Sequence, residues 1–424
     1  MSKLATLLKN EPSKATRIGT YRVCFHDEFC IGNGSDGTNV YVGLSDDGYE
    51  VAIKCMNLNK CQQIGDSEKE ILNCPNVRKE KHIVNYRFYQ PVDSKKANLV
   101  LDLHEETLRD YVLHKNRTIE HLRKEGPSII HQILFGVKAL HCSDPEILHR
   151  DLKPSNILVN VEGEMVLADF GISRTLSKDK TTYMSGLSGT EGWMAVESLP
   201  NEEDEDDYLS YVDIKVRYKK QSDIQVVGML CYYVLTKGKH PYGKHIHRNH
   251  NISKGDFNLK DLNDPCAIDL ITWMLQHDPV KRPNVHQCLK HPYLQTAEEN
   301  FNFVTRIGNE KEIKIKDATS LVVQELNKVS GLINWIAMID VCVMKHMTAP
   351  RRTAYANDAV DLLRFIRNMA VHWRDKAPPV NVQNTVVTPQ EYFQRKFPAL
   401  SVEVHQVIRE HPNWTRRVDL KEFF

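Results

Sequence analysis

Phosphate transfer to a hydroxyl needs amides around phosphate oxygens, a cation on them, a carboxylate at the attacking oxygen and hard ligands for a small divalent metal. The N-terminal two-thirds of the chain supplies these in order. Gly32-Asn33-Gly34-Ser35-Asp36-Gly37 precedes Val40 and then Val51-Ala52-Ile53-Lys54. The glycines let backbone amides approach phosphate without side-chain obstruction, and Lys54, on the next expected strand, is placed for the α- and β-phosphates. Glu70 is preferred to Glu68 as the acid orienting Lys54, because it directly precedes the apolar pair Ile71-Leu72. In His149-Arg150-Asp151-Leu152-Lys153-Pro154-Ser155-Asn156, Asp151 can orient the attacking hydroxyl and Lys153 can neutralise the transferred phosphate. Asn156 and Asp169, the latter in Asp169-Phe170-Gly171, offer oxygen ligands to Mg²⁺.

A second cluster lies beyond these residues. Tyr355, Arg367, Asn368 and His372 fall in a short stretch of the tail, with Asn368 and His372 one helical turn apart. Cleavage of RNA by its own 2′-hydroxyl needs a base, a cation for the charged phosphorane and an acid for the leaving 5′-oxygen. Each acid or base is typically worth about 10²–10⁴ in rate, and a placed cation stabilises charge that develops in the transition state. Tyr355, Arg367 and His372 can fill those three parts. A polar helix face with one histidine is ordinarily plain surface.

The elements that must hold these groups are legible in outline. Val40 to Ile53 alternates like a hairpin, Glu68 to Leu72 reads as a short helix, and Leu99 to Leu103 as a strand. Apolar spacing from Ser128 to His141 predicts a buried helix. Residues Glu202–Asp207 form an acidic run, read as a solvated loop. From Ala297 onward the pattern is helical, broken near Pro350, Pro378-Pro379, Pro398 and Pro412. A helix from about Asn357 to Trp373 places Ala359, Leu362, Leu363, Ile366, Met369, Ala370 and Trp373 on an apolar stripe. Asp361, Arg364, Arg367, Asn368 and His372 fall mainly on the remaining surface.

Composition sets outer bounds. A length of 424 residues predicts two to three domains. The net charge of +1 gives no global drive toward nucleic acid or membrane, so RNA binding must come from a local patch. Ten scattered cysteines without a CxxC pair suit free thiols in a reducing compartment, and no apolar run is long enough to span a bilayer, so a cytoplasmic location is expected. Four N-x-Ser/Thr sequons, at Asn33, Asn116, Asn251 and Asn413, are read as chance matches; a glycan on the first would block the glycine loop.

The stretch from Ile31 to Leu294 resembles a eukaryotic protein kinase on these motifs. The resemblance implies ATP or ADP with Mg²⁺ as cofactors, and adds Val40, Ala52, Asp102, His104 and Leu158 to the nucleotide pocket beside Gly32, Gly34, Gly37 and Lys54. Lys153, two residues after Asp151, favours serine/threonine substrates. Ala195-Val196-Glu197 replaces the usual Ala-Pro-Glu, leaving Glu197 to pair with Arg282. Between Gly171 and Gly189 stand Ser173, Thr175, Ser177, Thr181, Thr182, Tyr183, Ser185 and Ser188, where added phosphate could pair with Arg150 or Arg174.

The tail is similar to the KEN-type nuclease domain of the dual protein kinase/endoribonuclease family that includes ribonuclease L and the endoplasmic-reticulum stress sensor. The likeness rests on Arg306-Ile307-Gly308-Asn309-Glu310-Lys311, Trp335, Cys342-Val343-Met344-Lys345, Asp361 to Asn368 with His372, Tyr392-Phe393 and Phe397-Pro398. Gly189-Thr190-Glu191-Gly192-Trp193 adds to it in the first half. The family's arginine, asparagine, histidine and tyrosine map to Arg367, Asn368, His372 and Tyr355; Trp335 resembles a supporting residue, with core tryptophan the equal alternative. The resemblance implies a nuclease without a cofactor, active as a homodimer or higher oligomer promoted by nucleotide, with RNA and proteins including itself as substrates. The chain carries neither ankyrin repeats nor a membrane segment, so the dimerisation trigger is not written in it. The tail is only mildly basic, with eighteen Lys or Arg against fifteen Asp or Glu.

The expected architecture is therefore an α+β bilobal protein kinase fold over residues 21–294, after an N-terminal extension of residues 1–20, followed by an all-α helical nuclease domain over residues 297–424. The competing function is an active kinase whose tail is only a dimerisation or docking module.

Overall fold

Alternating apolar residues in Asn39–Ser45 (β4) and Glu50–Asn57 (β5) do form a hairpin, with Val42 opposite Ala52 and Val40 opposite Lys54. In this computed structural model the described residues are 2–34, 37–57, 62–93, 96–176, 180–186, 188–200, 215–349, 354–373 and 378–424. Ser35, Asp36, Ser177 and the acidic run lie outside them.

The hairpin is the middle of a seven-stranded antiparallel sheet. Thr16–Ile18 (β1), Tyr21–Val23 (β2), Cys30–Asn33 (β3), Tyr86–Asp93 (β6) and Lys96–Asp102 (β7) complete it in the order β1-β2-β4-β5-β7-β6, with β3 on β4. The expected strand near Leu99 is thus longer at its start and ends at Asp102. Residues 2–20 are folded into this lobe. Ser2–Asn10 (α1) buries Leu4 and Leu8 against Cys24 and Phe29, and β1 pairs with β2. Leucines at a four-residue spacing provide the buried stripe that a detached extension would lack.

Gln62–Asn73 (α2) follows β5. Beyond β7 the unit is mainly helical. Ile119–His141 (α3) buries Ile130, Ile133, Leu134, Val137 and Leu140, and begins nine residues before the periodic stretch at Ser128. Lys220–Leu235 (α4) is apolar nearly all round and buried from Ser222 to Leu235. Short antiparallel pairings close this lobe: Glu106–Thr107 (β8), Ile157–Val159 (β10) and Met165–Leu167 (β11) form one group, Ile147–Leu148 (β9) pairs with Arg174–Thr175 (β12), and Tyr183–Gly186 (β13) pairs with Lys215–Tyr218 (β14). A strand-built lobe followed by a helical lobe is the arrangement expected from the sequence.

Packing divides the chain into two compact units: Met1–Leu262 with Ile271–Val285, and Asn263–Leu270 with His286–Phe424. The second unit is helical. Ala297–Asn309 (α5) starts at a reciprocal cap in which the Thr296 hydroxyl accepts from the Glu299 amide and the Glu299 carboxylate accepts from the Thr296 amide. Lys311–Ile315 (α6), Ala359–His372 (α7) and Leu400–Arg409 (α8) enclose a core that includes Ile307, Trp335, Leu362, Phe365, Ile366, Tyr392, Phe393 and Val404. Gly308 sets how closely α5 lies on α7: a Cβ there would sit 2.5 Å from the Leu363 carbonyl oxygen and 3.0 Å from Arg367 Cβ. Among the described residues no helix is long and apolar enough to cross a membrane.

Candidate active sites

Lys54 emerges from β5 between two carboxylates, the buried one of Glu68 and the half-exposed one of Asp169. Its Nζ stands 3.0 Å from both Glu68 carboxylate oxygens and 2.8 Å from Asp169 Oδ1. Burial alone would lower the Lys54 pKa, but the two carboxylates outweigh it and raise it, so the ammonium stays charged. Lys54 in turn holds the Asp169 carboxyl down at about 2.

The acid on α2 is therefore Glu68, and the choice of Glu70 is corrected. Glu68 lies three and four residues before Ile71 and Leu72, so it shares their buried helical face. Glu70, adjacent to the pair, is turned roughly a quarter-turn or more away and is exposed. Adjacency in sequence was the wrong criterion; helical spacing carries the signal. Glu68 also accepts from the Phe170 amide at 3.3 Å, tying α2 to the Asp169-Phe170-Gly171 turn.

The loop after β9 holds the other catalytic candidates. Lys153 Nζ donates to Asp151 Oδ2 at 2.8 Å and to Thr190 Oγ1 at 2.7 Å, and the Thr190 hydroxyl donates to Asp151 Oδ1 at 2.6 Å. A hydroxyl thus already sits where a substrate hydroxyl would meet the carboxylate. Asn156 Nδ2 donates to the Asp151 carbonyl and to Oδ2, both at 2.9 Å, which leaves its amide oxygen for a metal. Beneath the loop, buried Asp223 accepts from the amides of His149 and Arg150 at 3.0 Å and from His141 at 2.9 Å. Thr190 and Asp223 were given no role by sequence. Each acts through contacts far apart in the chain; Thr190 stands inside the family-like Gly189–Trp193 stretch, and Asp223 stands in no such stretch.

The nucleotide-pocket residues distribute as follows. Gly32 is on β3, and Gly34 and Gly37 flank the tip of the β3–β4 turn; Gly37 has φ +73°, a conformation costly for other residues. Val40, Ala52 and Leu158 lie on β4, β5 and β10. The Asp102 carboxylate is engaged by Arg87 and Asn85, which leaves its backbone groups as the part it can offer a ligand. His104, in the linker from β7 to β8, is held neutral by burial. Both of its ring nitrogens are buried without a hydrogen-bond partner among the described residues. Such orphaned polar atoms fit the polar edge of a purine. Together with hard oxygens on Asn156 and Asp169 and the charge on Lys54, the cleft fits Mg²⁺ and a nucleoside polyphosphate.

Glu197 and Arg282 pair as expected, through two contacts of 2.9 Å with Arg282 fully buried. Arg150 stacks on Tyr218 at 3.9 Å and over Tyr183 at 5.2 Å, and donates to the Ile172 carbonyl. Its Nε and Nη2 are buried with no partner among the described residues.

The second site is built on α7. Asp358 caps the helix by accepting from the Asp361 amide at 2.8 Å. Arg367 Nη1 donates to Asn368 Oδ1 at 2.9 Å, and Asn368 Nδ2 donates to the Tyr355 hydroxyl at 2.9 Å. Three of the four candidates thus form one hydrogen-bonded chain. His372 is exposed one turn beyond Asn368 on the same helix. Tyr355 is buried, its ring meeting Trp335 at 6.0 Å and Phe365 at 5.1 Å, both edge-on. Trp335 is both core and support: it is fully buried and donates to the Ala356 carbonyl at 3.2 Å.

Asp361 is corrected from the exposed face to the interior. Its carboxylate is fully buried, accepts from the Ala356 amide at 2.5 Å and is paired with Lys316 and Arg364. Burial would raise its pKa, but these contacts lower it overall. It fixes the turn carrying Tyr355, a task that polarity alone did not reveal.

The protein kinase domain family matches residues 25–294, and the ribonuclease 2-5A family matches residues 300–423. The chain is 31% identical over 399 residues to the serine/threonine-protein kinase/endoribonuclease ire-1 of Caenorhabditis elegans, covering 89% of this chain and 38% of that protein. It is 31% identical over 411 residues to the serine/threonine-protein kinase/endoribonuclease IRE1 of rice, Oryza sativa subsp. japonica, covering 90% and 43%. Against the human serine/threonine-protein kinase/endoribonuclease IRE2 the figures are 28% over 418 residues, 94% and 42%. The chain thus spans about two-fifths of the length of these curated relatives.

Proposed function

Because this chain belongs to the protein kinase family and carries a ribonuclease 2-5A domain after its kinase domain, we propose a coupled enzyme. In it, nucleotide held by the kinase favours pairing of two copies, and the paired tails cut RNA by attack of its own 2′-hydroxyl. The chain's relatives share the kinase/endoribonuclease description over both halves.

In the kinase, bound Mg²⁺ would neutralise developing charge on the phosphates. Asn156 and Asp169 would hold it, Lys54 would hold the α- and β-phosphates, and Asp151 would orient a serine or threonine hydroxyl, one from a second copy included. Lys153 would offset charge on the transferred group. In the nuclease, Tyr355 as its phenolate accepts the 2′-hydroxyl proton, and becomes the phenol, as the 2′-oxygen bonds to phosphorus. Arg367 faces the charged phosphorane, Asn368 holds Tyr355 and Arg367 in register, and His372 gives a proton to the 5′-oxygen as its bond to phosphorus breaks. The products are a 2′,3′-cyclic phosphate and a 5′-hydroxyl. With the cation supplied by Arg367, the step needs no metal. A cytoplasmic setting belongs to this reading, supported by the nine described cysteines all being free thiols.

The observation that carries the nuclease reading is the Tyr355–Asn368–Arg367 hydrogen-bond chain beside an exposed His372. The test is cleavage of labelled RNA with ATP over a series of protein concentrations, with His372→Ala and Asp169→Ala alongside. Expected is cutting that steepens with concentration, yields cyclic-phosphate ends, persists in EDTA once nucleotide-free dimers are forced by high concentration, and disappears with His372→Ala. Cutting untouched by that substitution rejects the assignment, and a chain that phosphorylates but never cuts supports the docking-module alternative.

A further inference from the structure

A cavity of about 400 Å³ opens where α5 turns into α6, lined by Arg306 and Asn309 from the first helix and Lys311 and Lys314 from the second. Arg306, Lys311 and Lys314 are exposed, and no ion pair holds any of them among the described residues. Of the two acids at the rim, Glu310 is already engaged by Arg417, which also binds Glu312 at 2.6 Å; Asp419 is the other. The cavity therefore carries a local excess of positive charge in a tail that is otherwise nearly balanced.

Asn309 connects this cavity to the nuclease cluster. Its Oδ1 accepts from Arg367 Nε at 3.3 Å, while its amide nitrogen remains a donor. Arg367 thus uses one edge on Asn309 and another on Asn368. The link depends on Gly308, whose missing side chain lets α5 come close to Leu363 and Arg367.

We propose that this cavity binds a backbone phosphate of the RNA strand neighbouring the one being cut, with Arg306, Lys311 and Lys314 as its ligands and Asn309 as the join to Arg367. The inference rests on the ribonuclease reading and extends it to a second contact on the same strand. Single strands are commonly held by cationic grooves that follow the backbone, and such contacts fix register without reading sequence. A second phosphate held beside the first would set the strand's direction across α7. It also gives a nearly neutral tail a local source of affinity. The site carries no aromatic platform among its lining residues, so it discriminates strand geometry and charge rather than base.

The test is binding of a fluorescent single-stranded RNA whose 2′-hydroxyls are methylated, so that nothing is cut, to the full chain over a salt series. Removing the three cations together in Arg306→Gln/Lys311→Gln/Lys314→Gln should weaken binding on the order of tenfold at low salt and make the log–log salt slope shallower by about 2, since each single-strand contact contributes about 0.7. Lys314→Glu alone should weaken binding as well. Equal affinity and equal slope for wild type and triple variant overturn the site. A wild type that binds no RNA overturns the site and the ribonuclease reading together. Binding lost in the triple variant, with natural RNA never cut by wild type, sinks only the cleavage reading.

Discussion

The phosphate-transfer cleft draws its working groups from five separate stretches, at Lys54, Glu68, Asp151 to Asn156, Asp169 and Thr190, whereas the nuclease cluster is drawn from one helix and the tyrosine just before it. In the cleft, position is enforced by charge: Lys54 with the buried Glu68 and the half-exposed Asp169, and buried Asp223 under the catalytic loop. On α7 it is enforced by helical spacing and aromatic packing around Tyr355, with the single buried carboxylate of Asp361 fixing the turn before the helix. A dispersed site depends on the whole lobe being folded. A local site depends on one helix and the surface it rests on.

The difference can be broken most sharply at Tyr355. Tyr355→Phe keeps the ring packing and removes the hydroxyl, so RNA cutting should fall by about 10²–10⁴ while phosphorylation is retained. Equal loss of both activities would show the hydroxyl to be structural. A step smaller, Glu68→Gln should lower phosphate transfer by on the order of 10²-fold, since Lys54 loses one of its two carboxylate partners and its fixed position on the phosphates; Glu70→Gln should match wild type. Similar kinetics for the two glutamines would reject Glu68 as the orienting acid.

Gly308→Ala addresses the local site through its seat. Backbone at 2.5 Å cannot yield as a flexible side chain can, so the methyl should cost about 1–3 kcal/mol in the tail. The readout is faster hydrogen exchange along α7 than in the wild type, with α3 unchanged. Unaltered protection of α7 would mean that the helices separate freely.

The smallest effect is on pH. His291 and His405 are both held below the ordinary imidazole pKa, chiefly by burial, with Asp269 and Arg409 facing them. The unfolded chain takes up protons below about 6.5, so the folded state is favoured fully above that value and loses stability as pH falls beneath it. Unfolding of the second unit should therefore shift down by roughly a few degrees between about pH 7.5 and 5.5. His405→Phe should flatten that shift; an equal shift in the variant removes His405 as a source.

Much of both sites was legible because phosphate chemistry places its residues inside short fixed motifs. Asp151, Lys153, Asn156 and Asp169 each come with neighbours that name them, and the pairing of Glu197 with Arg282 followed from such a motif despite Val196. On α7 the 3.6-residue period exposed the stripe of Leu362, Leu363, Ile366 and Met369, all buried. What failed was the assignment of faces to charged residues. Glu70 was preferred over Glu68 because it adjoins Ile71-Leu72, although helical spacing puts Glu68 on their buried face; Asp361 was placed outside because charge suggests solvent, while pairing across the fold decides burial. Thr190 and Asn309 stood within family-like stretches without a role, and Asp223 stood in none, since their partners lie 39, 58 and 73 residues away in the chain.

The division of the chain into Met1–Leu262 with Ile271–Val285 and Asn263–Leu270 with His286–Phe424 has a practical outcome. The backbone passes from one half to the other three times, so no single severed peptide bond can part them. Asp269, which Arg409 of α8 grips at 2.6 Å, lies within the stretch matched by the kinase family. A fragment starting at Ala297 would leave that guanidinium with the exposed Glu410 at 3.7 Å in place of the buried Asp269. The stretch that matches the kinase family thus supplies residues to the second unit's own fold.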